Sequence, residues 1–365
     1  MRIFKSTFFA SAMSLAAVAA ASAQDVPAGY PADYAQTIEA AKAEGRVVIY
    51  TSTDAAQAQR LLDAFTGKYG IKVEYNDLGT NGAYNRAISE AAASQVGADI
   101  VWSAAMDLQM TLAADGYMEP YDSPEKANLP EWANYEDTLY ATTIEPIGMI
   151  YNTGALSKDD VPQTRADLIA YFNDNRDELR GRVATFDPEK SGAGFLHHTN
   201  DAQSTDSFWD LAKAMGGVGV KTYSSSGSMR ETVVSGENVL AINIIGSYAL
   251  DWVKDSPNLG VAFGTDYTAG FSRLAGIMKD SPNPEAAKLF VDFMLSQEGQ
   301  NALAAGSLPS VRDDVTEGLN LSTLNERVGG KLDPIDVDDH LLTYMQPQKR
   351  VEFFREWTAA TTASN

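Results

Sequence analysis

Apolar and polar positions alternate along this chain with two different periods, and the switch between them marks out its elements. Arg46 to Tyr50 (RVVIY) is a short β-branched run that fits a strand buried on both faces, and it ends in the polar turn Thr51, Ser52, Thr53, Asp54. Ala55, Ala58, Leu61, Leu62, Phe65 and Tyr69 then recur at three- and four-residue steps, which predicts an amphipathic helix closed by Gly70. Ile71 to Tyr75 (IKVEY) predicts a second strand, Gly79 to Gly82 (GTNG) a turn, and Tyr84 to Ala93 a helix. Asp99 to Ser103 (DIVWS) is a third strand, and a helix follows through Leu108, Met110 and Leu112. Strand, polar turn and helix, repeated at about 30 residues, is the βαβ rhythm of a parallel sheet.

The second half keeps the alternation without a fixed repeat. Glu145 to Tyr151 reads as a strand, Asp167 to Phe172 as a helix and Arg182 to Phe186 as a strand. Asp187 to Gly194 (DPEKSGAG) is then a turn into a helix. Helices over 208–215 and 229–235 precede the strand Val239 to Ile245, which leads to Gly246, Ser247 and Tyr248. No Pro- or Ser-rich linker divides the halves, which suits two lobes joined by crossing strands.

The N-terminus has a different character. Arg2 and Lys5 precede an apolar stretch, Phe8 to Ala20, that is too short to span a bilayer, and Ala21, Ser22, Ala23 form an A-x-A cleavage site. Residues 1–23 are therefore expected to be an export signal, with Gln24 starting the mature chain. No cysteine follows, so a lipid anchor is not expected. The 365 residues include 49 acids and 28 bases, a formal charge of −21, and loss of Arg2 and Lys5 takes it to −23. That balance argues against nucleic acid and anionic lipid as partners.

In open α/β sheets, strand C-termini and helix N-termini meet at one edge, where free N–H groups receive polar or anionic ligand groups. Thr51, Ser52, Thr53, Asn81, Gly82 and Ser103 fall at that edge, although the same residue types also cap helices that bind nothing. Arg86, four residues beyond Gly82, is a candidate for bidentate contact with a phosphate or carboxylate. Tyr223, Tyr248 and Trp102 could stack on a flat ligand. The only histidines are His197, His198 and His340, the first two adjacent and so divergent on a helix, where a surface position is expected rather than a metal site.

VVIYTSTD, GADIVWSAAMDLQMTLAADGYMEPY, IGMIYNTGAL, GRVATFDPEKSGAG, VVSGENVLAINIIGSY and PNPEAAKLFVDFMLSQEGQNALA, taken in order, resemble the extracellular solute-binding proteins of ABC importers. The similarity is greatest to the group of ferric-ion, thiamine, sugar-phosphate and phosphonate binders, and it runs from about Gly45 to Val315. It implies an α/β, two-lobed periplasmic-binding-protein type II fold, each lobe a mostly parallel sheet with flanking helices, joined by a hinge of crossing strands. The lobes implied are 24–142 plus 262–315, and 143–261 plus 316–365. It further implies a periplasmic, monomeric, non-enzymatic protein without cofactor, which closes on a small-molecule ligand and delivers it transiently to a permease in the inner membrane.

The resemblance also places Ser191 and Gly192 on the cleft, Glu145 on the hinge strand and Arg273 in the strand that crosses back. Arg273 is thus a candidate either for a ligand anion or for pairing with an acid such as Glu145. Ferric binders of the group carry two adjacent tyrosines where this chain has Ser247 and Tyr248. A small polar or anionic solute is therefore the expected cargo and ferric iron the alternative. A secreted hydrolase is the rival of another class, but G-x-S-x-G, H-E-x-x-H and P-loop motifs are all missing.

Overall fold

The computed structural model describes residues 26–362, so the expected export signal lies outside the described residues. Among the described residues, fourteen strands are built into two sheets. In chain order they are β1 Arg46–Thr51, β2 Lys72–Asp77, β3 Ile100–Ser103, β4 Met118–Glu119, β5 Asn134–Tyr135, β6 Leu139–Ala141 and β7 Glu145–Asn152. There follow β8 Val183–Phe186, β9 Lys221–Tyr223, β10 Leu240–Ile245, β11 Leu259–Ala262, β12 Thr268–Phe271, β13 Leu274–Met278 and β14 Leu332–Pro334.

The first sheet has the order β2-β1-β3-β13-β6-β5, with β4 also against β13. Its β2-β1-β3 end is parallel, and β13 enters antiparallel beside β3. The second sheet runs β14-β12-β7-β10-β8-β9, with β11 on β7. Here β10, β8 and β9 are parallel, while β7 is antiparallel to β10, β11 and β12. The expected parallel character thus holds for the βαβ part of each sheet. Strands that return through the hinge run the other way, and each sheet is mixed.

Burial follows the two patterns. β1 is buried from Val47 onward, as its unbroken β-branched run requires, and the helix Ala55–Tyr69 turns Ala58, Leu61, Phe65 and Tyr69 inward. Each such aliphatic or aromatic side chain contributes about 1.5–3 kcal/mol. The first sheet and its helices enclose one apolar core, and two further cores cover the faces of the second sheet.

Two crossings join the sheets side by side. Thr142, Thr143 and Ile144 carry the chain from β6 to β7, and Ser272 and Arg273 carry it back from β12 to β13. Thr142 N–H donates to the Arg273 carbonyl (3.0 Å) and Arg273 N–H to Thr143 Oγ1 (3.0 Å), so the crossings are stitched together. Because β12 pairs with β7 and β14, the return falls at 272–273, later than the 262 expected from sequence. The tail is shared as well: Ile335, Val337 and Leu341 join the first core, whereas Phe353 and Trp357 of the helix Pro347–Thr362 join the second lobe. One local expectation fails outright. Gly79 to Gly82 is the first turn of the helix Gly79–Ala92 and not a separate loop, entered through Gly79 at φ +66°.

Candidate functional site

Three helices begin where the lobes meet. Gly79–Ala92 and Met106–Ala114 come from the first lobe and Gly192–Ser204 from the second. Gly192 N–H donates to Thr80 Oγ1 (3.0 Å), and Asn81 Nδ2 donates to the Lys190 carbonyl (3.2 Å). A Cβ added at Gly192 would stand 2.8 Å from Leu108 Cδ1 and 3.0 Å from both Ala105 Cβ and Asn81 Oδ1, so a side chain here would have to displace the leucine tip and crowd the facing turn, which glycine avoids. Ser191 is buried and caps its helix by accepting from Gly194 N–H (3.1 Å). The structure therefore brings Asn81, Ser191 and Gly192 together, and adds Thr80, which reading GTNG as a loop concealed. Gly82 lies exposed one residue beyond Asn81.

The Thr51–Asp54 turn forms the adjoining wall. Thr51 Oγ1 accepts from Thr53 N–H (3.0 Å), and Ser52 Oγ accepts from Ala104 N–H (3.0 Å) and lies 3.4 Å from Ser103 Oγ. Ser103 Oγ in turn accepts from Ala105 N–H (3.2 Å). Across the lobes, Asp54 N–H donates to the Tyr248 hydroxyl (3.3 Å). Burial pushes the Tyr248 phenol up to about 12, Arg273 opposing, so it stands as a neutral hydroxyl. Desolvation also raises the Asp54 carboxyl, with Arg273 pulling the other way.

At the hinge, Arg273 and Glu145 are both fully buried and pair with each other, Nε to Oε1 at 2.8 Å and Nη2 to Oε2 at 3.2 Å. Thr143 Oγ1 (2.9 Å) and Ser247 Oγ also donate to the Glu145 carboxylate, while Arg273 Nη1 reaches Thr53 Oγ1 at 3.1 Å. The guanidinium lies 5.2 Å from the Tyr248 ring centre. Burial alone would lower the pKa of Arg273, but Glu145 and Tyr248 together hold it above the ordinary value. Of the two roles open to Arg273, the structure shows the pairing with Glu145. Trp102, buried and donating to Thr142 Oγ1 (2.8 Å), also belongs to the hinge.

Two candidates lie apart from this junction. Arg86 is exposed, pairs with Glu90 (2.8 Å) and covers the Tyr50 ring at 4.5 Å. The hydroxyl of Tyr223 meets Asn238 Nδ2 (3.3 Å), and its ring packs with the core beneath the second sheet.

The adjacent histidines are not on the surface. His197 and His198 are 1% and 0% exposed, because their helix is enclosed from Gly192 through Asp201. Asn243, at φ +61° in an irregularity of β10, addresses both: its carbonyl meets His197 Nδ1 (3.0 Å) and its Nδ2 donates to His198 Nδ1 (3.0 Å). His198 Nε2 faces the Phe186 carbonyl (3.1 Å). Burial lowers the two pKa values to about 3 and about 4, so both rings are neutral. Among the described residues, no group of three or more His, Cys, Asp or Glu side chains is placed to hold a metal ion.

Two mixed α/β lobes, a stitched double crossing and helix N-termini converging from both sides define a hinged solute-binding protein. The chain belongs to the bacterial extracellular solute-binding protein family, which matches residues 51–301. A substrate-binding protein of an ABC transporter from Agrobacterium tumefaciens is 35% identical, with 87% of this chain and 94% of that one superposed at a TM-score of 0.82. An uncharacterized protein of Haemophilus influenzae (strain ATCC 51907 / DSM 11121 / KW20 / Rd) is 28% identical over 280 residues, 71% of this chain and 75% of its own. The fold is shared with the periplasmic binding protein AfuA from Actinobacillus pleuropneumoniae, whose structure holds fructose-6-phosphate. That similarity is 23% identity over 88% of this chain and 99% of that one, TM-score 0.71. The family consists of solute-binding components of ABC importers, which work outside the cytoplasmic membrane.

Proposed function

We propose that this protein captures a small polar solute with an anionic group between its lobes, in the periplasm, and hands it as a monomer to its permease without chemical change. The observation that carries the reading is the meeting of three helix N-termini from two lobes at Thr80, Asn81, Ala105 and Gly192. The dipoles of the helices point their positive ends at one place, which suits negative charge. A ligand there touches both lobes, and only differential contact with the closed form can drive closure. The lobes rotate, in this reading, about residues 142–144 and 272–273, and residues 1–23 direct export before removal. Thr51, Ser52, Asn81, Ser103, Ser191 and Tyr248 are the side chains nearest to hand for ligand hydroxyls, and Thr80 joins them.

Native mass spectrometry of the purified chain tests the proposal, followed by calorimetry with sugar phosphates, phosphonates, thiamine and Fe(III). One small organic anion per chain is the expected result. Retained Fe(III) alone would transfer the reading to the ferric alternative, and turnover of the bound compound would reveal an enzyme.

A further inference from the structure

Asp107 is a buried acid with no role in the preceding account. It occupies the first turn of the helix Met106–Ala114, is 2% exposed, and its Oδ1 accepts from Leu108 N–H (2.8 Å). Its Oδ2 has no hydrogen-bond partner among the described residues. The cation facing it is Arg350, which starts the C-terminal helix of the second lobe. That guanidinium is laid over the rings of Phe195 (4.4 Å) and Phe354 (5.4 Å) rather than onto the carboxylate. Tyr84 faces it from the helix Gly79–Ala92 with Asp115 beyond, and His340, in the 339–345 segment, is held by Asp338. No charged residue of the helix Gly192–Ser204 answers Asp107: its aspartate, Asp201, is engaged by Arg165. The place is part of the lobe junction, since Ala105 and Leu108 of the same turn meet Gly192.

An ionised carboxylate shut into this junction has one oxygen unsolvated and unpaired, which is costly, whereas the neutral acid is far less so. When the lobes part, water restores the ordinary carboxylate. We propose that Asp107 makes lobe closure proton-linked, the closed form taking up a proton there and opening as the medium turns alkaline. This rests on the hinge-bending reading given above. Burial, opposed by the Leu108 N–H and Arg350, raises the closed-state carboxyl to about 7. The open-state value is the usual one, about 4. The closed form is therefore fully favoured below about pH 4, and the advantage is lost, by up to roughly tenfold per unit, as pH rises toward 7.

The test uses the cysteine-free mature chain with two introduced spin-labelled cysteines, Asn85→Cys and Glu189→Cys, both exposed and on opposite lobes. Electron–electron distance distributions are recorded at pH 5 and pH 8, without ligand. The short-distance population should shrink at pH 8 in the otherwise wild-type protein and persist at both pH values in Asp107→Asn. A direct carboxyl titration by ¹³C NMR on the unsubstituted protein should find Asp107 protonating near neutrality. Two distances whose ratio ignores pH, or shifts equally in Asp107→Asn, overturn the proposal while leaving the hinge intact. A single distance in every sample overturns the hinge reading and the proposal with it.

Discussion

Arg273 shows how a residue's burial decides between two roles that its identity leaves open. A guanidinium in a strand near a cleft can bind a ligand anion or neutralise an acid, and its type and position are the same in either case. In the fold its Nε and Nη2 are taken by Glu145, and Thr53 occupies Nη1. Removing one member of a buried pair strands the other as an unpaired charge, at about 3–5 kcal/mol, whereas replacing both is far milder. Arg273→Met is thus expected to lower stability by that amount in urea denaturation, and Arg273→Met with Glu145→Gln to regain most of it. A loss below about 1 kcal/mol for the single variant would show that the pair does not hold the hinge. The histidines make the complementary point. His197 Nδ1 and both ring nitrogens of His198 are met by the bulged Asn243 and the Phe186 carbonyl, while His197 Nε2 is buried without a partner among the described residues. These are long-range surroundings that no local spacing encodes, which is why spacing alone predicts a surface position that the fold does not give them.

Elements are written far more plainly in the sequence than contacts between them. RVVIY, DIVWS and VLAINII have apolar centres, broken only by Asn243 in the last, because both faces of those strands are covered, and all three are central strands. The edge of the sheet where Ser, Thr and Asn cluster was legible for the same reason, since caps mark helix starts. What a cap faces is another matter. Ser191 and Asn81 reached the lobe junction, but the equally plausible Arg86 folded back onto Glu90, one turn along its own helix, and Tyr223 turned into a core. The helix beginning at Gly192 offers a test at this scale. The first helical position itself tolerates a side chain, but one there crowds Ala105 and Leu108 of the other lobe. Gly192→Val should accordingly leave the melting temperature nearly unchanged while enlarging the ligand-free radius of gyration in solution scattering. An unaltered radius together with lost stability would mean that the contact holds the lobe's fold and not its closure.

At the scale of the whole molecule, four of the buried titratable groups bend the response of stability to acid in opposite directions, and Asp54 and Asp201, also raised by burial, add to the side of the acids. His197 and His198 are neutral when folded, with burial lowering them to about 3 and about 4, but protonate at about 6.5 once unfolded. Below pH 6.5 the unfolded chain therefore gains two protons that the native state refuses, and stability falls. Asp107 acts with the opposite sign, as does Asp292, which burial raises to about 6 against the hydroxyls of Ser123, Tyr121 and Tyr34. Both acids hold a proton in the native state at a pH where the unfolded chain has released it, so their stabilisation is present in acid and is lost as pH rises through 6 and 7. Between about pH 4.5 and 6 the two pairs nearly cancel, and the protein should show an almost level unfolding free energy there. Replacing both acids, Asp107→Asn with Asp292→Asn, unmasks the histidines. Urea denaturation of that variant should then lose about 2.7 kcal/mol per pH unit on acidification, the linkage of two protons, while the parent changes by less than about 1. Parallel curves for the two proteins would mean that the buried acids are ionised in the native state, and that the unpaired oxygen of Asp107 finds water in spite of its burial.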